Sequence, residues 1–301
     1  MHEAVNKGAV IEISDLTKFY GKARGIEHVN LEIGEGEIFG FIGPNGAGKS
    51  TTIRILMNMI FPTSGSAKIL GLDVVKESRM IKNHVGYIPS DANAYLSMNV
   101  SGFLEYCSRF YGHDGSGKKI SELAGLFELD LKRKIADLSL GNRKKVSIIQ
   151  SLLHSPGILI CDEPTTGLDP LMQSVFFDLI REENKKGMTV FFSSHILAEV
   201  QLLCKKVAII REGRIMGVED IETLRKRQLK KVRIGFIEKA DMERFSISGT
   251  VELNYIAGNE IYFMFSGDIN ELVSTLAQFK VVNFTIEEPS LEEIFMHYYK
   301  V

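Results

Sequence analysis

Cysteine is scarce in this sequence. Three residues, Cys107, Cys161 and Cys204, are all that 301 positions contain, and their spacing gives no disulfide framework. A reducing compartment without disulfides is the expectation. No stretch reaches the roughly 18 apolar residues of a membrane span, and no apolar leader marks the N-terminus. A role at a membrane would therefore need a separate partner chain. Net charge is only −2 at pH 7, so no global field selects nucleic acid. Internal repeats, low-complexity tracts and sustained heptads are missing as well. The remaining composition, 45% apolar and 25% charged, suits a sizeable core. The length fits one large domain or two smaller ones.

The most informative stretch is Gly43-Pro44-Asn45-Gly46-Ala47-Gly48-Lys49-Ser50-Thr51, a G-x-x-x-x-G-K-[ST] phosphate loop. The apolar run Ile38–Ile42 before it reads as a buried strand, and Thr52–Asn58 after it has helical spacing. Glycines let the backbone curl so that successive N–H groups face one anion, and the helix N-terminus adds partial positive charge. Lys49 can reach the β- and γ-phosphates of a nucleotide, and the Ser50 hydroxyl can ligate Mg²⁺. A second nucleotide element is Asp162-Glu163, which ends the apolar run Ile158–Cys161. Asp162 is placed to hold Mg²⁺, and Glu163 to deprotonate an attacking water.

Coarse periodicity supplies the frame. Alternation at Val10–Ile13 and Glu27–Ile33 predicts an early antiparallel β layer. Short strands follow at Ala67–Leu70 and Val85–Pro89. Helices are expected over Asn99–Tyr111, with Val100, Phe103, Leu104 and Phe110 as the apolar face, and over Ile120–Leu129 and Ser139–Leu153. These make a helical insert between about 95 and 155. Strands at 158–163, 189–193 and 206–211 alternate with helices at 175–186 and 195–204, which implies a parallel sheet. Beyond the basic stretch 225–231, four strands and two helices predict a small α+β unit, close to the lower size limit for independent folding. The basic runs 225–231 and Arg143-Lys144-Lys145 read as solvated faces; anionic lipid is a weaker reading of the first, and nucleotide of the second.

The motifs, taken in order, resemble the ATP-binding subunit of an ABC transporter. An aromatic at Tyr20, the loop Gly43–Thr51, Gly86-Tyr87-Ile88-Pro89, Leu138-Ser139-Leu140-Gly141-Asn142, Ile158–Glu163, Gly167-Leu168-Asp169-Pro170 and Ser194-His195 match that family over residues 8 to about 220. The tail from Glu288-Pro289-Ser290-Leu291 to Phe295 is similar to that of ABC-2-type exporter ATPases. The resemblance implies an α/β P-loop cassette over residues 8–224, with an antiparallel β layer and a helical insert, and a small C-terminal accessory domain over 225–301. It implies ATP and Mg²⁺ as ligands. Tyr20 would stack on adenine. Ser139 and Gly141 would cap the γ-phosphate of a second subunit, Asp169 would lie in the dimer seam, and His195 would bond the γ-phosphate.

Two departures stand out. Ser90 occupies the position where the family usually has Gln, or sometimes Glu, and it is too short to reach Mg²⁺ without water. The signature reads Leu-Ser-Leu-Gly-Asn rather than Leu-Ser-Gly-Gly-Gln. The resemblance implies an ATPase at the inner face of the cell membrane that powers export through a separate permease. Its partners would be that permease, met by residues from about 90 to 112, and a second ATPase subunit, identical or not, with no nucleic acid. The tail is expected to aid assembly. Alternatives are a soluble ABC ATPase acting on ribosomes or nucleic acid, and a regulatory module without turnover.

Overall fold

The computed structural model describes residues 8–91, 96–112, 117–222, 230–256 and 258–287. The tail motif, the helix expected over 291–299 and most of the basic stretch 225–231 lie outside them. The chain divides between Asp220 and Ile221 into two compact units.

In the first unit the run Ile38–Ile42 is strand β3, with every residue buried. Uniform burial is what a strand covered on both faces requires, and it explains an apolar run without alternation. Strands β6 (Val85–Ile88), β7 (Ile158–Asp162), β8 (Thr189–Ser194) and β9 (Lys206–Arg211) lie parallel to it. The sheet order is β10-β9-β3-β8-β7-β6, where β10 (Arg214–Asp220) closes one edge antiparallel. Periodicity did not announce β10, whose residues are mostly half-exposed and lack clean alternation.

A second sheet, order β2-β1-β4-β5, is antiparallel: β1 (Ala9–Tyr20), β2 (Ala23–Gly34), β4 (Ser64–Ile69) and β5 (Leu72–Asp73). Its inner face carries Ile11, Ile13, Leu16, Val29 and Ile33 into a core shared with Phe39, Phe41, Ile53, Ile160 and Phe191. The Phe41 and Phe191 rings pack with centroids 5.2 Å apart. Helix α1 (Lys49–Leu56) follows the phosphate loop, and α2 (Ser78–Lys82) precedes β6.

The helical insert holds α3 (Val100–Arg109), α4 (Gly117–Leu126) and α5 (Leu140–Leu152). The Asn99 side chain caps α3 by accepting from Gly102 N–H at 2.9 Å. Phe110 does not belong to the buried face, contrary to its spacing. Phe110 caps the helix end one residue past Arg109 and is 70% exposed, its ring packed edge to face on Tyr106 rather than into the core. Cys107 takes its place among the buried residues.

Helix α6 (Pro170–Lys185) begins five residues before the periodicity suggested, and α7 is Leu197–Leu203. Asp169 sets the start of α6: its Oδ1 accepts from Met172 N–H at 3.0 Å, and Pro170 fills the first helical position. Removal of that cap by Asp169→Ala is expected to cost about 1 kcal/mol of unfolding free energy. Urea unfolding curves with no shift in midpoint would show that the bond adds nothing.

The second unit has the antiparallel order β12-β13-β11-β14, with β11 (Lys230–Phe236), β12 (Thr250–Ile256), β13 (Glu260–Phe265) and β14 (Val281–Glu287). Val232, Ile234, Ile261, Phe263 and Phe265 share a core with Met242 and Phe245 and with Leu272 and Leu276. These come from α8 (Lys239–Arg244) and its C-cap, and from α9 (Ile269–Leu276). The unpredicted α8 is too short for periodicity to register.

Candidate active site

Parallel strands that share a sheet bring their carboxyl ends to one edge, where ligands of open α/β sheets bind. Here β8 lies between β3 and β7, so the loops after all three strands are neighbours. They carry the phosphate loop, Asp162-Glu163 and His195. Gly46 and Gly48 adopt φ of 79° and 111°, a region that side chains rarely enter. A Cβ on Gly48 would also meet Ile26 Cγ2 at 2.6 Å. The loop therefore needs glycine there to curl into the start of α1.

Lys49 is buried, and its Nζ donates to the carbonyls of Gly43 at 2.7 Å and Pro44 at 3.2 Å. The same Nζ stands 3.3 Å from Glu163 Oε1. The other Glu163 oxygen, Oε2, is 3.2 Å from His195 Nδ1. Glu163 thus lies between a cation from the phosphate loop and an imidazole from the loop after β8. Its backbone has φ 48°, which a residue with a Cβ adopts at a cost of roughly 1–2 kcal/mol. The Glu163 N–H is held there by Ser193, donating to its carbonyl at 3.2 Å and to its hydroxyl oxygen at 3.3 Å.

Asp162 is fully buried. Its Oδ1 accepts from the hydroxyls of Ser50 and Ser193, each at 3.1 Å. Its Oδ2 is buried and has no hydrogen-bond partner among the described residues. An unpaired buried carboxylate oxygen is costly, and beside a serine hydroxyl it makes the hard oxygen set that Mg²⁺ prefers. The residues fit that ion. Tyr87, on β6, has its phenol pushed up to about 12, first by burial and then by the charge of Asp162.

Tyr20 ends β1 and is 48% exposed. A Cβ on Gly25 would meet Tyr20 Cε2 at 2.9 Å and Thr51 Cγ2 at 3.2 Å. The ring therefore lies beside the first turn of α1, with Lys18 Nζ 5.3 Å from its centroid. Ser139, Gly141 and Asp169 form a separate group. No hydrogen bond or ion pair among the described residues joins them to Gly43–Thr51. Ser139 caps α5, its Oγ accepting from Asn142 N–H at 3.3 Å. A cap uses the oxygen lone pair, so the O–H can donate elsewhere. A Cβ on Gly141 would stand 2.4 Å from the Gly167 carbonyl oxygen. That close approach seats the signature segment on Gly167–Pro170 and explains glycine at 141.

A family model described as ABC transporter matches residues 26–166. Another, described as the C-terminal domain of DrrA1-3-like ATP-binding proteins, matches residues 220–299. The bacitracin transport ATP-binding protein BcrA of Bacillus licheniformis is 37% identical over 227 residues, 73% of this chain and 73% of BcrA. The chain belongs to the ABC transporter ATP-binding family. As an ABC ATPase it binds and hydrolyses ATP. The linearmycin resistance ATP-binding protein LnrL of Bacillus subtilis (strain 168) is 29% identical over 304 residues, 96% of this chain and 97% of LnrL, so that likeness spans both units. A solved structure of an ATP-binding subunit of an ABC transporter is 29% identical, with a TM-score of 0.68, covering 72% of this chain and 92% of that one. Among the described residues no helix is long and apolar enough to cross a membrane.

The site of this ABC ATPase also holds residues that sequence reasoning missed. Lys144 does not face solvent: it is 0% exposed, and Lys145 is buried as well. Lys144 Nζ donates to the carbonyls of Pro89 at 2.8 Å, Ser90 at 2.7 Å and Glu163 at 3.3 Å. Burial holds its pKa below the ordinary lysine value, opposed first by Asp162 and Asp91. The signal was available in Ile148 and Leu152, which follow Lys144 by four and eight residues on one buried stripe. Ser193 gave no signal, because only the pairing of β7 with β8 sets it beside Asp162.

Ser90 engages Lys144 through its backbone carbonyl, not its side chain. Ser90→Gln is therefore expected to leave ATP turnover within about tenfold, a barrier change of roughly 1.4 kcal/mol. Complete loss of phosphate release with folding intact would reveal a role for the hydroxyl itself.

Proposed function

We propose that this ABC ATPase is the motor of an exporter, with Glu163 as general base, and that it drives a separate permease from the inner face of the membrane. The observation that supports this best is the meeting of Lys49, Asp162, Glu163 and His195 at the ends of three adjacent strands.

In this reading the N–H groups of Gly43–Thr51 and Lys49 bind the phosphates of ATP, and Tyr20 stacks on the base. Lys49 already sits in the loop, so it can exchange Glu163 Oε1 for phosphate oxygens. Asp162 and Ser50 would hold a magnesium ion, whose charge offsets that of the β- and γ-phosphates. Glu163, released by Lys49, takes the proton of the attacking water, and His195 steadies the carboxylate and donates toward the γ-phosphate. Ser139 and Gly141 serve the nucleotide of a second subunit, in keeping with the absence, among the described residues, of any hydrogen bond from them to this chain's own phosphate loop. Exposed Leu140, Leu171 and Ile196 near these motifs suit a seam that closes on ATP.

The functional divisions are a cassette over 8–224, a helical subdomain over about 95–155 and an accessory domain over 225–301 that aids assembly. Residues from about 90 to 112 meet the permease. Exposed Leu96, Tyr106 and Phe110 support that surface, with the Tyr106 and Phe110 rings packed edge to face at 5.0 Å.

Affinity purification of the full chain from membranes, followed by mass spectrometry, tests the reading. An integral membrane protein and an ATPase subunit should co-purify. Recovery with ribosomes and no membrane protein would overturn it.

A further inference from the structure

We propose that Lys144 is a positioning residue for Glu163: its ammonium clamps helix α5, the Ser90 turn and the Glu163 peptide together, and so governs turnover without governing nucleotide affinity. The inference rests on the reading of Glu163 as general base.

The clamp begins with an oddity of composition. A fully buried ammonium is expensive unless every N–H is satisfied. Packing alone would be met by an aliphatic residue, as it is by Ile148 and Leu152 on the same stripe. Lys144 instead spends its three donors on three carbonyls, two after β6 and one after β7. All three acceptors belong to irregular backbone outside the sheet ladders, and the Glu163 carbonyl, at 3.3 Å from Lys144, also accepts from Thr166 N–H at 3.4 Å.

The Glu163 carbonyl matters most. Glu163 sits at φ 48°, off the favoured backbone regions. Ser193 holds the N–H on one side of this residue, and Lys144 holds the carbonyl on the other. Together these bonds resist rotation about both backbone dihedrals. The side chain is aimed by that backbone: its two oxygens lie 3.3 Å from Lys49 and 3.2 Å from His195. A relaxed backbone would swing the carboxylate off these partners. None of the groups that Lys144 touches belongs to Gly43–Thr51; its link to that loop runs through the Glu163–Lys49 ion pair, whose loss leaves Lys49 free for phosphate. Through the same bonds, the helix that starts just after Ser139 is tied to the residue that would activate water.

The test uses the full-length protein with Lys144→Met, which keeps the length and removes the donors, and Lys144→Gln, which keeps two N–H groups. Phosphate release gives kcat and KM, equilibrium dialysis with ATP gives Kd, and amide exchange of the peptide over residues 160–165 is followed without nucleotide. Lys144→Met should lower kcat at least tenfold, with KM and Kd within threefold of wild type and exchange of that peptide at least fivefold faster. Lys144→Gln should recover kcat at least threefold over Lys144→Met. A kcat within twofold of wild type in folded Lys144→Met would overturn the proposal. So would Kd rising in step with the loss of kcat, or failure of both variants to fold, since Lys144 would then be a residue of the fold. If only Lys144→Gln folds, unchanged kcat in it overturns the proposal, and lowered kcat with unchanged Kd supports it. Glu163→Gln separates the two levels. Full turnover in that variant removes the base, whereas lost turnover beside a normal Lys144→Met removes only the clamp.

Discussion

Glu163→Gln should leave ATP binding intact and lower phosphate release by about a thousandfold, roughly 4 kcal/mol of barrier. Glutamine keeps the shape and can still bond His195, but it cannot take a proton from water. The geometry makes this substitution clean. The Glu163 backbone is held by Ser193, Lys144 and the Thr166 N–H, and none of these bonds involves the Glu163 side chain. The ion pair with Lys49 would be lost, which frees Lys49 for phosphate, so affinity for ATP should hold or rise. The variant should accumulate as an ATP-bound dimer in sedimentation. Turnover within tenfold of wild type would remove Glu163 from the role of base and pass attention to His195.

Lys49→Ala should do the opposite, with ATP affinity falling by at least a hundredfold. Loss of a cation that makes charge-assisted bonds to two phosphates is worth about 3 kcal/mol, and each tenfold in affinity is about 1.4 kcal/mol. Turnover would fall as well, but as a consequence of an empty site. Lys49 has a second task, since its Nζ satisfies the carbonyls of Gly43 and Pro44. Circular dichroism should therefore accompany the binding measurement. A folded Lys49→Ala protein that binds ATP within fivefold of wild type would show that backbone N–H groups alone hold the phosphates.

The two expectations differ because the side chains come from different loops that only the sheet unites. Lys49 lies on the helix after β3, and Glu163 lies after β7, more than a hundred residues away. Their 3.3 Å contact follows from the order β3-β8-β7. His195 joins them because β8 is the strand between. The strands themselves were legible as apolar runs. The ordering was not, since nothing in a run of Ile, Leu and Phe says which neighbour it will pair with.

What the sequence determined on its own is local. The phosphate loop, its flanking strand and helix, the acidic pair at the end of β7 and just after it, and the Asp169-Pro170 helix start are each written within a dozen residues. Short-range sterics and hydrogen bonds decide such elements without help from the rest of the chain. The tertiary structure decided everything that depends on a distant neighbour. It turned Lys144 from a supposed solvent-facing charge into a buried clamp, because three backbone carbonyls from other segments converge on it. It paired Asp162 with Ser193 through strand register, and left Asp162 Oδ2 without a hydrogen-bond partner among the described residues. It left Phe110, at the C-cap of α3, exposed and packed on Tyr106 instead of in the core. The physical reason is common to all of these. The burial of a side chain and the satisfaction of a polar atom are properties of what surrounds them, and the chain brings those surroundings from afar.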